Sequence, residues 1–201
     1  MASVTRNPRP LFVTSLPAGY DGQEVFYQST TAGTGGGATN SMADVGAVYH
    51  LRYRAAASGS YKWQVVGAPP IGHYNVGGRT YSTTENTSSG TFVELTTRGP
   101  RVTLPLAGDY NVSFSAVATN SGGAGAGPAI TVFKTGDTAG GWQTNDALYY
   151  PAIVGAYGEM SGTTVRTGCS AADVIELYYA VTSTQAAFYN RSMTVTPIRV
   201  G

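Results

Sequence analysis

Tyr110, Val112, Phe114, Ala116 and Ala118 occupy every second position of one stretch, with Asn111, Ser113, Ser115, Val117 and Thr119 beside them. This period of two marks a strand that buries one face and shows the other to water, because successive Cβ atoms point to opposite sides of an extended chain. A helix would scatter the same residues around its axis. Just upstream, Val102 and Leu104 share a parity, and the Pro105 to Asp109 segment supplies turn chemistry. Proline fixes φ for the first corner, and Gly108 is free to take a positive φ. Residues 101–119 are therefore expected to form a strand, a turn and a second strand running back.

The same device recurs. Ala171, Ala172 and Asp173 form a break before Ile175, Leu177, Tyr179 and Val181, which alternate with Val174, Glu176, Tyr178 and Ala180. In the last segment Tyr189, Arg191, Met193 and Val195 fall on one parity, and the pattern stops just after Pro197. Proline donates nothing to a ladder, so this end is expected at a sheet edge or beyond the paired region.

These residues carry a resemblance. A GDY turn entering an alternating strand, an AAD turn entering another and a closing NRSMTVTP strand, in that order, resemble the trimeric jelly rolls of the tumour necrosis factors and complement globular heads, over residues 76–201. The N-terminal part, SLPAGYDGQEVFY followed by AVYHLRYRAAASGSYKWQVVGAPPI, is similar to a module at the start of small tailed-phage virion proteins, many of them minor tail proteins. Together they imply an all-β chain: an N-terminal arm and small β attachment module over 1–75, then a jelly-roll β-sandwich over 76–201. They also imply a homotrimer whose centre is closed by aromatic and aliphatic residues. Tyr149, Tyr178, Tyr179 and Tyr189 are the candidates there, from a C-terminal aromatic load that exceeds what one small sandwich needs.

Composition agrees with that reading. The chain has 27 glycines and 14 tyrosines and no long window of helical periodicity, which favours β structure. Charged residues make up 11% and the net charge is +1, against about 25% charged residues in an ordinary soluble domain. A surface so poor in charge suggests cover by neighbouring chains. The single cysteine, Cys169, forms no intrachain disulfide and reads as a small buried hydrophobe. No stretch reads as a signal peptide or a membrane span, so synthesis in a host cytoplasm is expected, without membrane insertion.

Along the chain, residues 1–15 read as an extended arm. Strands are expected at 23–28, 48–53 and 61–66, and Arg52, Arg54 and Lys62 interleave with aromatics there. With net charge near zero this is no nucleic-acid platform, and packing of the cations over Tyr or Trp is expected instead. The Gly35-Gly36-Gly37 run lacks the Lys-Ser/Thr and helix of a phosphate loop. Pro69 and Pro70 place a domain boundary near 68–76, before a polar, Gly-rich connection.

Catalytic chemistry is thin. His50 and His73 form no metal-binding spacing, Cys169 has no local histidine, and Asp137 with Asp146 lacks a calcium-loop motif. No enzyme activity, metal or cofactor is expected. The resulting expectation is a non-enzymatic virion protein of a tailed bacteriophage, a trimeric minor tail protein contacting the host surface. The alternative is a trimeric decoration protein on the capsid. Its partners would be other virion proteins and a host glycan, met by loops 119–128 and 135–145 through Trp142, Asn145 and Asn120. A flat aromatic beside amides suits a sugar ring.

Overall fold

The structure, a computed structural model, describes residues 11–30, 46–68, 72–76 (backbone only), 84–120, 127–137, 147–149, 156–182 and 185–201. Among them the chain is all-β. The strands are β1 (Leu11–Val13), β2 (Glu24–Gln28), β3 (Val48–Tyr53), β4 (Trp63–Gly67), β5 (Gly72–Val76), β6 (Glu85–Thr87) and β7 (Arg101–Thr103). They continue as β8 (Gly108–Asn120), β9 (Pro128–Lys134), β10 (Leu148–Tyr149), β11 (Tyr157–Cys169), β12 (Val174–Val181) and β13 (Ala186–Val200).

Two sheets face each other as a β-sandwich. The larger has nine strands in the order β1-β2-β3-β4-β13-β8-β11, with β5 and β6 also paired to β13; the smaller runs β10-β9-β12-β7. The spine is β13. One side lies along β8, and the other is met in succession by β6 at 186–188, β5 at 191–195 and β4 at 199–200. All these pairings are antiparallel, and only β1 joins β2 in parallel.

The alternation in β8 does what its pattern predicts. Tyr110, Val112, Phe114, Ala116 and Ala118 are buried, opposite Ile175, Leu177, Tyr179 and Val181 of β12 and Ile130 and Val132 of β9. The same cluster takes in Val25, Tyr27, Tyr49, Leu51 and Trp63 from β2, β3 and β4. The break expected near residues 68–76 is thus bridged: segments on either side share one sheet and one core. The stretch read as a connection contributes β5 and β6, whose pairing with β13 comes from backbone geometry that polar, Gly-rich sequence does not advertise.

Three local expectations are corrected. The strands at 101–103 and 108–120 are not a hairpin, because β7 pairs with β12 in one sheet and β8 with β13 and β11 in the other, so the turn is a corner between sheets. Gly108 does not use a positive φ there. A Cβ on it would lie 2.4 Å from the Arg199 carbonyl oxygen, so glycine is required by close backbone approach. Pro197 is not at a sheet edge. It sits in the spine, in the gap between the parts paired with β5 and β4, where the register against β8 shifts between Pro197 and Arg199. Irregularities of this kind are where a sheet tolerates proline.

The third correction concerns faces. Between Tyr189 and Ser192 the β13 register slips, with two residues opposed to one on β8, and Asn190 has φ 42°. Such a bulge moves all later side chains to the other parity. Ala186 and Phe188 point inward before it, and Arg191, Met193 and Val195 are the buried ones after it. Tyr189 and Arg191, read as neighbours on one face, therefore lie on opposite faces.

Phe114→Ala should cost about 3–5 kcal/mol, as buried aromatic truncations do, whereas Ser113→Ala, which removes one exposed hydroxyl contact to Thr163, should cost far less. Urea denaturation of the two variants checks this. Equal losses would mean that the faces of β8 are assigned the wrong way round.

Candidate functional site

The outward faces of β13, β8 and β11 form one surface built in rows of small polar residues. Ser161, Ser115 and Ser192 align across the three strands, as do Thr163, Ser113 and Thr194, and then Val165, Asn111 and Thr196. Neighbours in these rows bond to each other: Ser115 Oγ lies 2.7 Å from Ser192 Oγ, and Ser113 Oγ 3.2 Å from Thr163 Oγ1. Cross-strand hydroxyl pairs of this kind hold a sheet flat and in register. At one end Tyr157, 61% exposed, meets Tyr189 edge to face at 5.7 Å between ring centroids. Among the residues of these rows and the tyrosine end, Glu159, opposite Val117, brings the charge.

Charge is concentrated elsewhere, in two networks. Arg191 is fully buried. Its Nη1 donates to the carbonyls of Thr97 (3.2 Å) and Gly99 (3.0 Å), Nη2 donates to Glu85 (3.4 Å), and the guanidinium lies 5.5 Å from the Tyr179 ring centroid. The second network lines a groove of about 240 Å³ beside β7, β12 and β9. There Arg98 bridges Glu94 and Glu176, Arg101 Nε lies 3.8 Å from Glu176, and the Tyr178 hydroxyl donates to Glu94 at 3.0 Å. Burial pushes the Glu176 carboxyl above its usual range, and the nearby Glu94 charge adds to that rise. The Tyr178 hydroxyl is pushed up to about 12, first by burial and then by its bond to Glu94. Each guanidinium here is matched to a carboxylate, so the groove offers an incoming anion little free charge.

On the N-terminal strands, His50 Nε2 and Arg52 both reach the Glu24 carboxylate, His50 at 3.0 Å. The Arg52 hydrogen bond, and after it the His50 one, holds that carboxyl below its usual range. His50 is thus a hydrogen-bonded structural residue, as its place among aromatics implied. The expected packing of Arg52, Arg54 or Lys62 over an aromatic ring does not occur. Among the described residues the cation over a ring is Arg191 over Tyr179. Carboxylate and carbonyl oxygens compete better than a ring face for Arg52 and Lys62.

Of the ligand-binding candidates, Trp142 and Asn145 lie outside the described residues, as does Asp146. Asn120 is the last residue of β8, paired with Ala186 and only 2% exposed, so it belongs to the sheet and not to a distal loop. The four tyrosines scatter. Tyr149 is half exposed at the sheet end and Tyr189 is on the outer face with Tyr157. Tyr178 packs on Phe133 at 4.6 Å, on the far side of the smaller sheet. Tyr179 is a correction: fully buried, its hydroxyl donates to Gly99 at 2.9 Å, and it has no surface to give a neighbour. Asp137 closes a turn by accepting the Lys134 amide at 2.8 Å, and among the described residues no three metal-ligating side chains come together.

Sequence reasoning missed both networks and the hydroxyl rows. The rows were legible in principle, because Ser113, Ser115, Ser161 and Thr163 alternate with core residues. Their adjacency depends on the β8 to β11 register, which glycines at 158 and 162 hide. A Cβ at Gly162 would lie 2.8 Å from a Leu148 methyl, which would have to move aside. No protein-family model matches the chain, and no curated protein is detectably similar to it in sequence.

Two predictions follow from burial. Cys169 is buried and its thiol is raised to about 11, chiefly by burial. The folded protein should therefore resist a thiol-specific reagent near pH 8 and react only once denatured, which a colorimetric thiol assay reads. Glu176, raised in the folded chain, holds a proton that an unfolded glutamate (about 4.3) releases. Its contribution to stability is present below that value and lost as pH rises through the folded pKa. Glu176→Gln should gain on the native chain in urea melts as pH rises above the unfolded value of about 4.3, and a difference that stays constant with pH would contradict the raised carboxyl.

Proposed function

We propose that this chain is a non-enzymatic structural protein of a tailed-bacteriophage virion, a homotrimeric minor tail protein that touches the host surface. The observation that carries the reading is the hydroxyl-lined outer face of β13, β8 and β11. A free monomer keeps its surface soluble with charge, yet this face, on three of the longest strands, is nearly without it. Its covering by the same face of two neighbours accounts for that composition. Tyr157, exposed at one end and backed by the largely buried Tyr189, would supply the aromatic contact that interface cores favour.

The sandwich is read more finely as a jelly roll. From β7 onward successive strands pass repeatedly between the sheets: β7 in the smaller, β8 in the larger, β9 and β10 in the smaller, β11 in the larger, β12 in the smaller, β13 in the larger. This order fits the double-sheet jelly roll of the trimeric heads that the GDY, AAD and closing-strand motifs resemble. The phage assignment rests on the likeness of the N-terminal segment to virion attachment modules. That segment is β2, β3 and β4, fused to the sandwich through β4 and β13. On this reading the attachment module would share a sheet with the head.

Light scattering of the purified chain at micromolar concentration should give a trimer, and Thr163→Arg with Ser115→Arg should give a folded monomer. A native monomer overturns the trimer. Immunogold imaging of intact virions should then place the label at the tail tip. Label over the capsid faces, at high copy number, would identify a head decoration protein using the same trimer.

A further inference from the structure

The loop between β3 and β4 folds back over the end of β13 and leaves a cleft of about 280 Å³. Its lining includes three cations, Arg54, Lys62 and Arg199, with Tyr61, Gln64 and Ile198, and contains no carboxylate. Two acids lie close by: Asp109, almost buried, accepts from Arg199 Nε at 2.6 Å and from the Gly168 amide at 2.9 Å, and Asp21 accepts from the Ala55 amide at 2.9 Å without forming an ion pair with Arg54 or Lys62 among the described residues. Lys62 spends one donor on the Ala57 carbonyl at 2.5 Å and meets no acid. The Arg54 guanidinium has no side-chain partner among the described residues. It stands in contrast to Arg52, Arg98, Arg101, Lys134, Arg191 and Arg199, each of which reaches a carboxylate. In a chain whose net charge is +1, two uncompensated cations at one cleft are a local excess.

The cleft is also held in shape before anything enters it. Ala55 N donates to the Asp21 carboxylate at 2.9 Å, Arg199 donates to the Ser58 carbonyl, and the Tyr61 hydroxyl donates to the Cys169 carbonyl at 2.7 Å. The hydroxyl of Tyr61 is thus tied down, and Gly59, at φ 92°, brings the loop over the Arg199 guanidinium. A loop fixed at three points loses little freedom on binding, so its charge is preorganised.

We infer that this cleft binds a small acidic sugar, a carboxylate or phosphate on a single hydroxylated ring. The anion would sit between Arg54 and Lys62, where charge-assisted donors are free. Gln64 offers an amide to ring hydroxyls, and Ile198 with Tyr61 offers apolar surface to the ring face. The volume lies just under the roughly 300 Å³ at which sites for drug-sized ligands begin, which suits one ring better than a chain. The inference stands on the cleft and holds whether or not the chain is a virion protein.

Isothermal titration of the full chain with glucuronic acid, glucose 6-phosphate, glucose and inorganic phosphate tests it. At least one acidic sugar should bind more tightly than both glucose and inorganic phosphate, and the stronger of the two tells carboxylate from phosphate. Arg54→Gln, which breaks no contact within the fold, should weaken that binding by roughly tenfold with an unchanged melting temperature, and Arg54→Gln with Lys62→Gln should abolish it. No binding by either acidic sugar, equal binding of glucose, inorganic phosphate binding as tightly as the best sugar, or an unaltered affinity in Arg54→Gln would each overturn the inference.

Discussion

A cation with no exposure to water sits at the centre of this sandwich, and much of the architecture is arranged around it. Taking a guanidinium out of water costs several kcal/mol unless its donors are met. Arg191 meets that cost with two loop carbonyls, the Glu85 carboxylate and the Tyr179 ring. Each partner comes from a different part of the chain. Glu85 is on β6, Thr97 and Gly99 precede β7, and Tyr179 is the middle of β12. The bulge at Asn190 is what turns Arg191 inward. Without that slip the guanidinium would face water on the hydroxyl surface, and β6, the 97–99 segment and β12 would each lose a tether to the spine.

The same residue shows why the sequence was only partly readable. Period-two runs are local properties, so β3, β8 and β12 could be placed from a few residues each, and the inward residues of β8 and β12 named correctly. A charged residue on an apolar parity, Arg191 beside Met193 and Val195, was visible too, and marks a buried cation whose two Nη groups are paired while its Nε is not. The bulge that sets its face was not, because it depends on how two distant strands align. For the same reason β5 and β6 were unreadable: Gly-rich, polar strands are stabilised by the neighbour they pair with, here β13. The corner at Gly108 had the right residue for the wrong reason, since the constraint is the Arg199 carbonyl on another strand. Of the candidate interface tyrosines, Tyr149 is half exposed while Tyr189 is largely buried beside Tyr157. Asn120 and Tyr179 were drawn inward by packing that no local pattern reports.

With so few charged residues, where each one goes decides the character of the surface. Arg191 and Glu176 are buried, Asp109 nearly so, and their partners draw further charges inward or into shared clusters. The outer face of β13, β8 and β11 is left with hydroxyls that satisfy each other. Hydroxyl rows suit a surface that must be dry in one state and tolerable in water in another: each hydroxyl donates and accepts, so neighbours or water can complete it at small cost. Buried carboxylates or ammonium groups on such a face would make its covering expensive.

Edge geometry points the same way. β11 is 13 residues long and, among the described residues, pairs with β8 alone, which leaves its other side as an edge of the larger sheet there. Proteins commonly protect such an edge with charge, proline or brevity. β11 has no proline; its charges, Glu159 and Arg166, stand seven residues apart, and Arg166 is committed inward to the Val132 carbonyl of the facing sheet. What interrupts the strand is glycine at 158, 162 and 168, and a register slip against β8 between Arg166 and Cys169. A slip twists an edge locally and limits how long a straight foreign strand can follow it. Over the remaining length, under the proposed trimer, a neighbouring protomer packed on the adjoining hydroxyl face would cover the edge. The sparse charge, the hydroxyl rows and the long edge thus belong to one surface, whose covering would desolvate few charged groups.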